Sequence, residues 1–322
     1  MSEASASITD QPLPDVRARG AGLEPVFHGA CAAAAAALLG AMVGLCILLA
    51  WGGWPSISTF GLSFFTSTVW NRVTDVYGGA GPILGTLVTS AIALALALPL
   101  AFCTAVFLVE FCPSSLRRPI GIALELLAGI PSIVYGMWGL FVFAPLFAAY
   151  VEAPLMSWAP AGTIWERVLS GIPNGSGILT ASIILAIMIL PFIAATLREL
   201  FFSIPVRVRE SAYGMGCTPM EVVWSVTLPY VRRSAIGAVM LGLGRALGET
   251  MAVTFVIGNS HRLPRGLFDS GSTISSIIAN EFAEATSPMH TSALLELGFI
   301  LFVITFLVLA LARALLGHGP AA

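Results

Sequence analysis

Six uninterrupted apolar runs, near residues 28–51, 81–110, 120–150, 178–202, 234–258 and 292–316, dominate this sequence. Each reaches the roughly 20 residues that a helix needs to cross a hydrocarbon core. A chain of this length could also hold two soluble domains, but the runs recur from one end to the other. Charged residues make up only 10% of the chain and hydrophobic ones 57%, whereas about a quarter of a soluble domain is charged. The expected fold is therefore an all-α polytopic membrane protein, with six transmembrane helices over residues 28–316. Residues 1–27 carry Asp, Glu, Arg and three prolines and read as a disordered tail, with a short C-terminal tail at 317–322. The first run has no evident cleavage site and is too long for a signal-peptide core, so it reads as a retained anchor.

The sparse charges exclude several functions. A net charge of −2 offers no basic field for nucleic acid, and the five cysteines lack metal or disulfide spacing. All 15 basic residues are arginine. Without lysine there can be neither a Walker A loop nor a Schiff base, so any ATP that drives this protein binds to another polypeptide. Arginine placement sets an orientation. With the N-terminus in the cytoplasm, Arg17, Arg19, Arg117, Arg118, Arg198, Arg207, Arg209, Arg232, Arg233 and Arg313 lie inside; Arg72, Arg167, Arg262 and Arg265 lie outside. Trp51, Trp54, Trp70, Trp158 and Trp165 fall in or beside the outer loops and read as an interfacial belt.

Polar residues inside the runs are candidates for a pathway, because charges in a bilayer are costly and usually face an interior or an aqueous route. Arg245 and Glu249 stand four apart in the fifth run and are expected on one helix face. Arg before Glu is the weaker order for such a pair, so helix stability explains them poorly. They could neutralise each other or a partner helix, Arg245 could line an anion path, or Glu249 could gate that path by pairing with Arg245 and releasing it when the anion arrives. The planar fork of Arg245 suits an oxyanion such as phosphate. In the third run, Gly129, Pro131, Gly136, Gly139 and Pro145 predict a kinked or broken helix. Ser132 and Tyr135 beside that break could donate to an anion or satisfy the freed backbone. Glu110 and Glu125 are expected to meet water at inner helix ends, and Glu199 to pair with Arg198 or stay exposed. His261, Arg262 and Arg265 form a small basic group in an outer loop, and the Asn174 to Gly177 stretch reads as a turn.

The most informative segment is ESAYGMGCTPMEVVWSVTLP at 210–229. It reads as two short helices about a glycine hinge, with Thr218 as N-cap, Pro219 at the first helical position and Glu221 closing a capping box. Leu228 and Pro229 are expected to end the second helix. An apolar, capped hairpin in an arginine-rich inner loop is a surface built for docking.

This segment resembles the EAA loop of the ABC importer permease family. Glu210, Ala212, Gly216, Leu228 and Pro229 match, while Ser211 and Val226 replace Ala and Ile. The stretches ELLAGIPSIVYGMWG at 125–139, GILTAS at 177–182, ILPF at 189–192 and GRALGETMAVTFVIGN at 244–259 are similar to permeases of the phosphate-specific importer. The resemblance implies a type I, MetI-like permease fold whose loop at 204–233 couples to a separate ATPase through Glu210, Ala212, Gly216, Thr218, Glu221, Leu228 and Pro229. From the polar residues inside the runs, the substrate path is expected along Arg245, Glu249, Thr250, Ser132 and Tyr135. No cofactor is expected on this chain; ATP and Mg2+ belong to the partner. The implied partners are a second permease resembling PstA, an ATP-binding dimer resembling PstB, a phosphate-binding protein resembling PstS, inorganic phosphate and the lipid membrane, and no nucleic acid. A sulfate or molybdate permease, an ATP-independent anion channel or carrier, and a phosphate-sensing scaffold are the alternatives.

Overall fold

The computed structural model describes residues 24–158, 160 and 162–317. Of the expected N-terminal tail, residues 1–23 lie outside the described residues, and residues 24–27 are not disordered but begin the first helix, whose apolar run they extend; the C-terminal tail beyond residue 317 also lies outside the described residues. The chain divides into two compact units, Met1–Leu49 and Ala50–Ala322. Within the first, the described residues belong to one helix, Glu24–Phe60, which continues past the boundary. Leu38, Leu39, Val43 and Leu48 are exposed on it, as suits a helix that is apolar on all sides and solvated by lipid.

Among the described residues five helical segments are long and apolar enough to cross a membrane: Pro25–Phe65, Ala80–Phe111, Ser132–Trp158, Ile178–Phe202 and Pro288–Ala314. The remaining expected span, at 234–258, is split. Its helix Leu228–Leu247 stops at Gly248, and a short helix Met251–Val256 follows. Counting this broken element as the fifth, the six-helix architecture holds.

The third span differs from the expected 120–150. Ser114–Ala128 forms a separate amphipathic helix, the chain breaks over residues 129–131, and the span itself begins at Ser132. The reason lies in the residues: Pro131 cannot donate into the preceding turn, and Arg117, Arg118 and Glu125 give the upstream helix polar positions that a lipid-buried rod would not tolerate.

The core of the larger unit is the packing of the second span on the fourth. On the second span Gly81, Gly85, Thr89, Ala93, Ala97, Ala101 and Ala105 recur every four residues, and all are buried. On the fourth span Ala181, Leu185, Ile189, Ile193, Leu197 and Phe201 do the same with mostly large side chains. Rows four apart form ridges, and small residues opposite large ones let two backbones approach closely, which is how helices associate where the hydrophobic effect is absent. Four residues turn a helix by about 400°, so the row winds by about 40° per step. At its start it therefore faces a different neighbour: a Cβ on Gly81 would lie 2.8 Å from the His261 carbonyl oxygen, and one on Gly85 2.0 Å from that of Ser272. The segment after the fifth span is held there, and the Ile274 N–H donates to Thr86 Oγ1 at 2.9 Å.

Because the atom facing Gly85 belongs to backbone, it has nowhere to yield. Gly85→Ala should destabilise the protein by about 1–3 kcal/mol or more, read as a lowered thermal unfolding midpoint in detergent. Ala95→Gly, elsewhere on the same helix, should cost only the intrinsic helical preference of about 1 kcal/mol.

Candidate functional site

The hairpin at 204–233 is built as its sequence suggests through its first two helices. Val206–Gly214 is followed by Gly216, whose φ of +90° explains the glycine; a Cβ there would meet nothing, so the requirement is backbone conformation and not space. The Cys217 N–H returns to the Ala212 carbonyl and closes the turn. Thr218 then caps Pro219–Val222: its N–H donates to Glu221 Oε2 at 2.7 Å, and its Oγ1 accepts from the Glu221 N–H. Those backbone and side-chain hydrogen bonds hold the Glu221 carboxyl below its ordinary range. Ala212 is buried, while Glu210, Met215, Met220 and Trp224 are exposed and form a mixed apolar and acidic face.

Leu228 and Pro229 do not end the second helix. Val223–Thr227 is a π-helical turn, and Leu228–Leu247 starts directly from it with Pro229 in its first turn. The wider turn absorbs the N–H that proline lacks, so Leu228 keeps α geometry (φ −65°, ψ −45°) despite the proline after it. The hairpin is thus continuous with the fifth span, and about 40 Å of helix separates Pro219 from Arg245.

At the other end of that helix the expected side-by-side pair is absent. Arg245 occupies the last turn, where unpaired carbonyls favour a cation, and Glu249 lies beyond the helix end. Glu249 Oε1 instead accepts the Ala252 N–H at 3.1 Å and caps the short helix Met251–Val256. Among the described residues no carboxylate lies within ion-pair distance of Arg245. Its guanidinium sits 5.6 Å from the centre of the Phe192 ring, and its Nε is buried without a hydrogen-bond partner. An unpartnered buried donor is costly to leave unmade, so this position is poised to receive an acceptor.

Tyr135 and Thr250 serve the two breaks. The Tyr135 hydroxyl donates to the Leu127 carbonyl at 2.9 Å, across the first; Thr250 Oγ1 donates to the Gly248 carbonyl at 3.3 Å, within the second. Ser132 is half-buried at the start of the third span. The helices after the two breaks touch: a Cβ on Gly136 would lie 2.9 Å from Ala252 Cα. Ser132, Tyr135, Glu249 and Thr250 thus belong to two packed helix breaks, and Arg245 ends the helix entering one of them.

Near the hairpin, two acidic residues expected to meet water are paired. Glu110, in the π-helical end of the second span (Phe107–Phe111), has a side chain only 3% exposed. It accepts from Arg209 at 2.5 Å and from the Tyr213 hydroxyl at 2.7 Å. Burial and this bond raise the Tyr213 hydroxyl above its ordinary value. Arg198 binds both Glu125, at 2.7 Å, and Glu199, at 2.5 Å, and Gly121 leaves the room for its guanidinium. Glu125 is still largely exposed.

A second cluster was not legible in sequence. Glu281 is buried and accepts from Trp70 Nε1 (2.9 Å) and Arg72 (2.8 Å), with His261 and His290 Nε2 each 2.9 Å away. Trp70 stacks on His261 and Tyr77 on His290. Burial opposes ionisation of Glu281, yet the hydrogen bonds from His261, Arg72, His290 and Trp70 prevail and hold its carboxyl far below the ordinary range. Trp70 is therefore a hydrogen-bond donor inside the fold and not a belt residue, and His261 is engaged and not a free basic group beside Arg262 and Arg265. The only sequence signal was the unusual density of Trp, Arg and Tyr in the loop at 70–77. The 174–177 stretch is a turn, with Gly175 at φ +75° and its N–H held by the buried carboxylate of Glu152 at 2.9 Å. That carboxylate already fills the place an anion would take.

A membrane helix bundle with a capped hairpin running into a broken, arginine-bearing span has the fold of a MetI-like permease. Residues 97–316 match the family of binding-protein-dependent transport system inner membrane components, and the chain belongs to that family. Among its relatives is the phosphate transport system permease protein PstC of Mesorhizobium japonicum, 51% identical over 317 residues that cover 96% of this chain and 97% of the relative. The protein of that name from Pasteurella multocida is 53% identical over 268 residues, 83% of either chain. In fold, the chain is similar to the inward-facing MetNI methionine ABC transporter, at a TM-score of 0.50 and 18% identity, over 73% of this chain and 93% of that one.

Proposed function

We propose that this chain is a permease subunit of an ATP-driven importer of inorganic phosphate in the bacterial inner membrane, with both termini in the cytoplasm. The observation that carries the reading is the 51% identity, over nearly the whole of both chains, to a phosphate transport system permease. In this reading the chain forms half of the translocation path beside a second permease resembling PstA. The hairpin at 204–233 faces the cytoplasm and seats on an ATPase dimer resembling PstB, which binds ATP and Mg2+. A phosphate-binding protein resembling PstS delivers substrate from the other side. The chain itself has no catalytic residues and binds no cofactor.

The geometry supplies a mechanism. Closure of the ATPases displaces the hairpin, and the continuous helix from Pro219 through the π turn to Leu247 carries that displacement to Arg245. Phosphate carries between one and two negative charges near neutrality, and a guanidinium can bind two of its oxygens at once. A path has to compensate desolvation without trapping the ion. A single arginine on an aromatic face, without a carboxylate partner among the described residues, meets that demand.

The test is labelled phosphate uptake and ATP hydrolysis in vesicles holding this chain with its partner subunits, with sulfate or molybdate as competitor. Uptake that needs ATP and ignores both competitors is the expected result. Competition by sulfate or molybdate would move the substrate to that oxyanion, and uptake without ATP would leave the coupling role of the hairpin without support.

A further inference from the structure

The hairpin is joined to the fifth span by the backbone, but its first helix, Val206–Gly214, is a short element that could slide on the bundle. Both oxygens of Glu110 are taken by this one helix, from Arg209 and from Tyr213 one turn later. The carboxylate is almost wholly buried, and Arg209, which donates through Nη2, is less than one-fifth exposed. Surface ion pairs hold little; a buried pair is different, because separating it strands a charge, at a cost far above that of an exposed bridge. Glu110 stands in a π-helical turn, a geometry frequent at functional sites. The contact also fixes direction as well as distance, since a two-point hydrogen-bonded grip resists rotation in a way that the neighbouring Trp224 ring on Phe102, 5.7 Å between centroids, does not.

We infer that Glu110 is a positioning residue that clamps the first coupling helix to the end of the second span, so that displacement of the hairpin moves the second and fifth spans together. The second span carries the small-residue row packed on the fourth span, and the clamp thereby brings the bundle core into the stroke. Without it, the hairpin would still follow the ATPase but would drag only the fifth span. The inference rests on the proposed reading in that it takes the hairpin to be driven by an ATPase.

The test uses the complete complex with its ATPase. Glu110→Gln keeps the size and an acceptor while removing the charge. Some complex yield is lost with the stranded Arg209 charge, but ATP hydrolysis per assembled complex should stay near wild type, and phosphate moved per ATP should fall by about tenfold, the usual scale of coupling between sites. The charge-exchanged double variant, Glu110→Arg with Arg209→Glu, should recover most of the ratio. An unchanged ratio in Glu110→Gln would overturn the clamp. So would a parallel loss of yield, hydrolysis and uptake that the exchange does not repair, since that is what a purely structural pair would give. A second readout is independent of the substrate. Nitroxides at Leu100→Cys and Val206→Cys, in a background without native cysteines, should keep one separation with and without ATP and Mg2+ when Glu110 is present, and change separation on nucleotide addition in Glu110→Gln. Equal behaviour of the two proteins refutes the clamp whatever ion is carried, whereas a wild-type complex that moves another oxyanion corrects the substrate alone.

Discussion

Replacing Arg245 by alanine is expected to lower uptake by on the order of a hundredfold, the scale of a lost charge-assisted contact, while the complex still assembles and hydrolyses ATP. Among the described residues Arg245 makes no ion pair that the substitution would break, and its Nε has no partner to be stranded. The folded protein therefore loses only a contact with Phe192, worth about 0.5–2 kcal/mol, and the large effect falls on the moving anion. Arg245→Lys keeps the charge but not the planar fork, and should retain an intermediate rate, with weaker discrimination against other anions. Glu249→Gln separates this account from a gate. Because Glu249 caps the helix Met251–Val256 through an oxygen that glutamine also possesses, its uptake should stay within about threefold of wild type, a loss of one cap hydrogen bond at most. The measurement is the initial rate of labelled uptake beside ATP hydrolysis in the same vesicles. Full uptake by Arg245→Ala would place the anion path elsewhere.

The second large effect is on stability. Glu281→Gln replaces a buried carboxylate that four side chains from three separate parts of the chain converge on. Breaking a buried ionic network from one side costs about 3–5 kcal/mol, and thermal unfolding of the purified chain in detergent should show a midpoint lower by several degrees at neutral pH. The pH dependence has a definite sign. Glu281 is depressed in the folded state, so its stabilisation is complete above the ordinary carboxyl value of 4.5 and is lost as pH falls below that value toward its folded one. The gap between wild type and Glu281→Gln should be full at pH 6 and should narrow only below about pH 4.5, the unfolded reference. A gap that closed between pH 7 and 6 would mean that the carboxylate is not what holds the cluster. Glu296→Gln is a useful comparison: that buried side chain has a single hydrogen-bonding side chain, Ser56, and its substitution should be far milder.

What the sequence determined by itself follows from short-range physics. The fourth span was legible to the residue because Ile178–Phe202 is apolar over most of its length, with Arg198 and Glu199 only near its end, and is flanked by polar turns. The capping box at Thr218 and Glu221 was legible because its partners are three residues apart, and the glycine at 216 because a positive φ is a local demand. The break at Pro131 was expected, but its consequence was not: the residues before it form a separate helix that packs on the fourth span, where Arg198 meets Glu125.

The tertiary structure alone decided the rest. Proline at 229 ends most helices, yet here the chain passes it through a π turn whose inward side is buried against other spans. Four residues between Arg245 and Glu249 imply one face only if the helix persists, and it stops at Gly248, where the short helix that follows packs against Gly136. Glu110 was expected to meet water and Glu281 gave no signal in the sequence, because nothing within a few positions of either could pair with it. Their partners lie 99 and 211 residues away in the cases of Arg209 and Trp70. Hydrophobic length and capping are encoded within one or two turns, whereas a buried charge is tolerable only where distant segments bring their donors to it, and that convergence exists only once the bundle has formed.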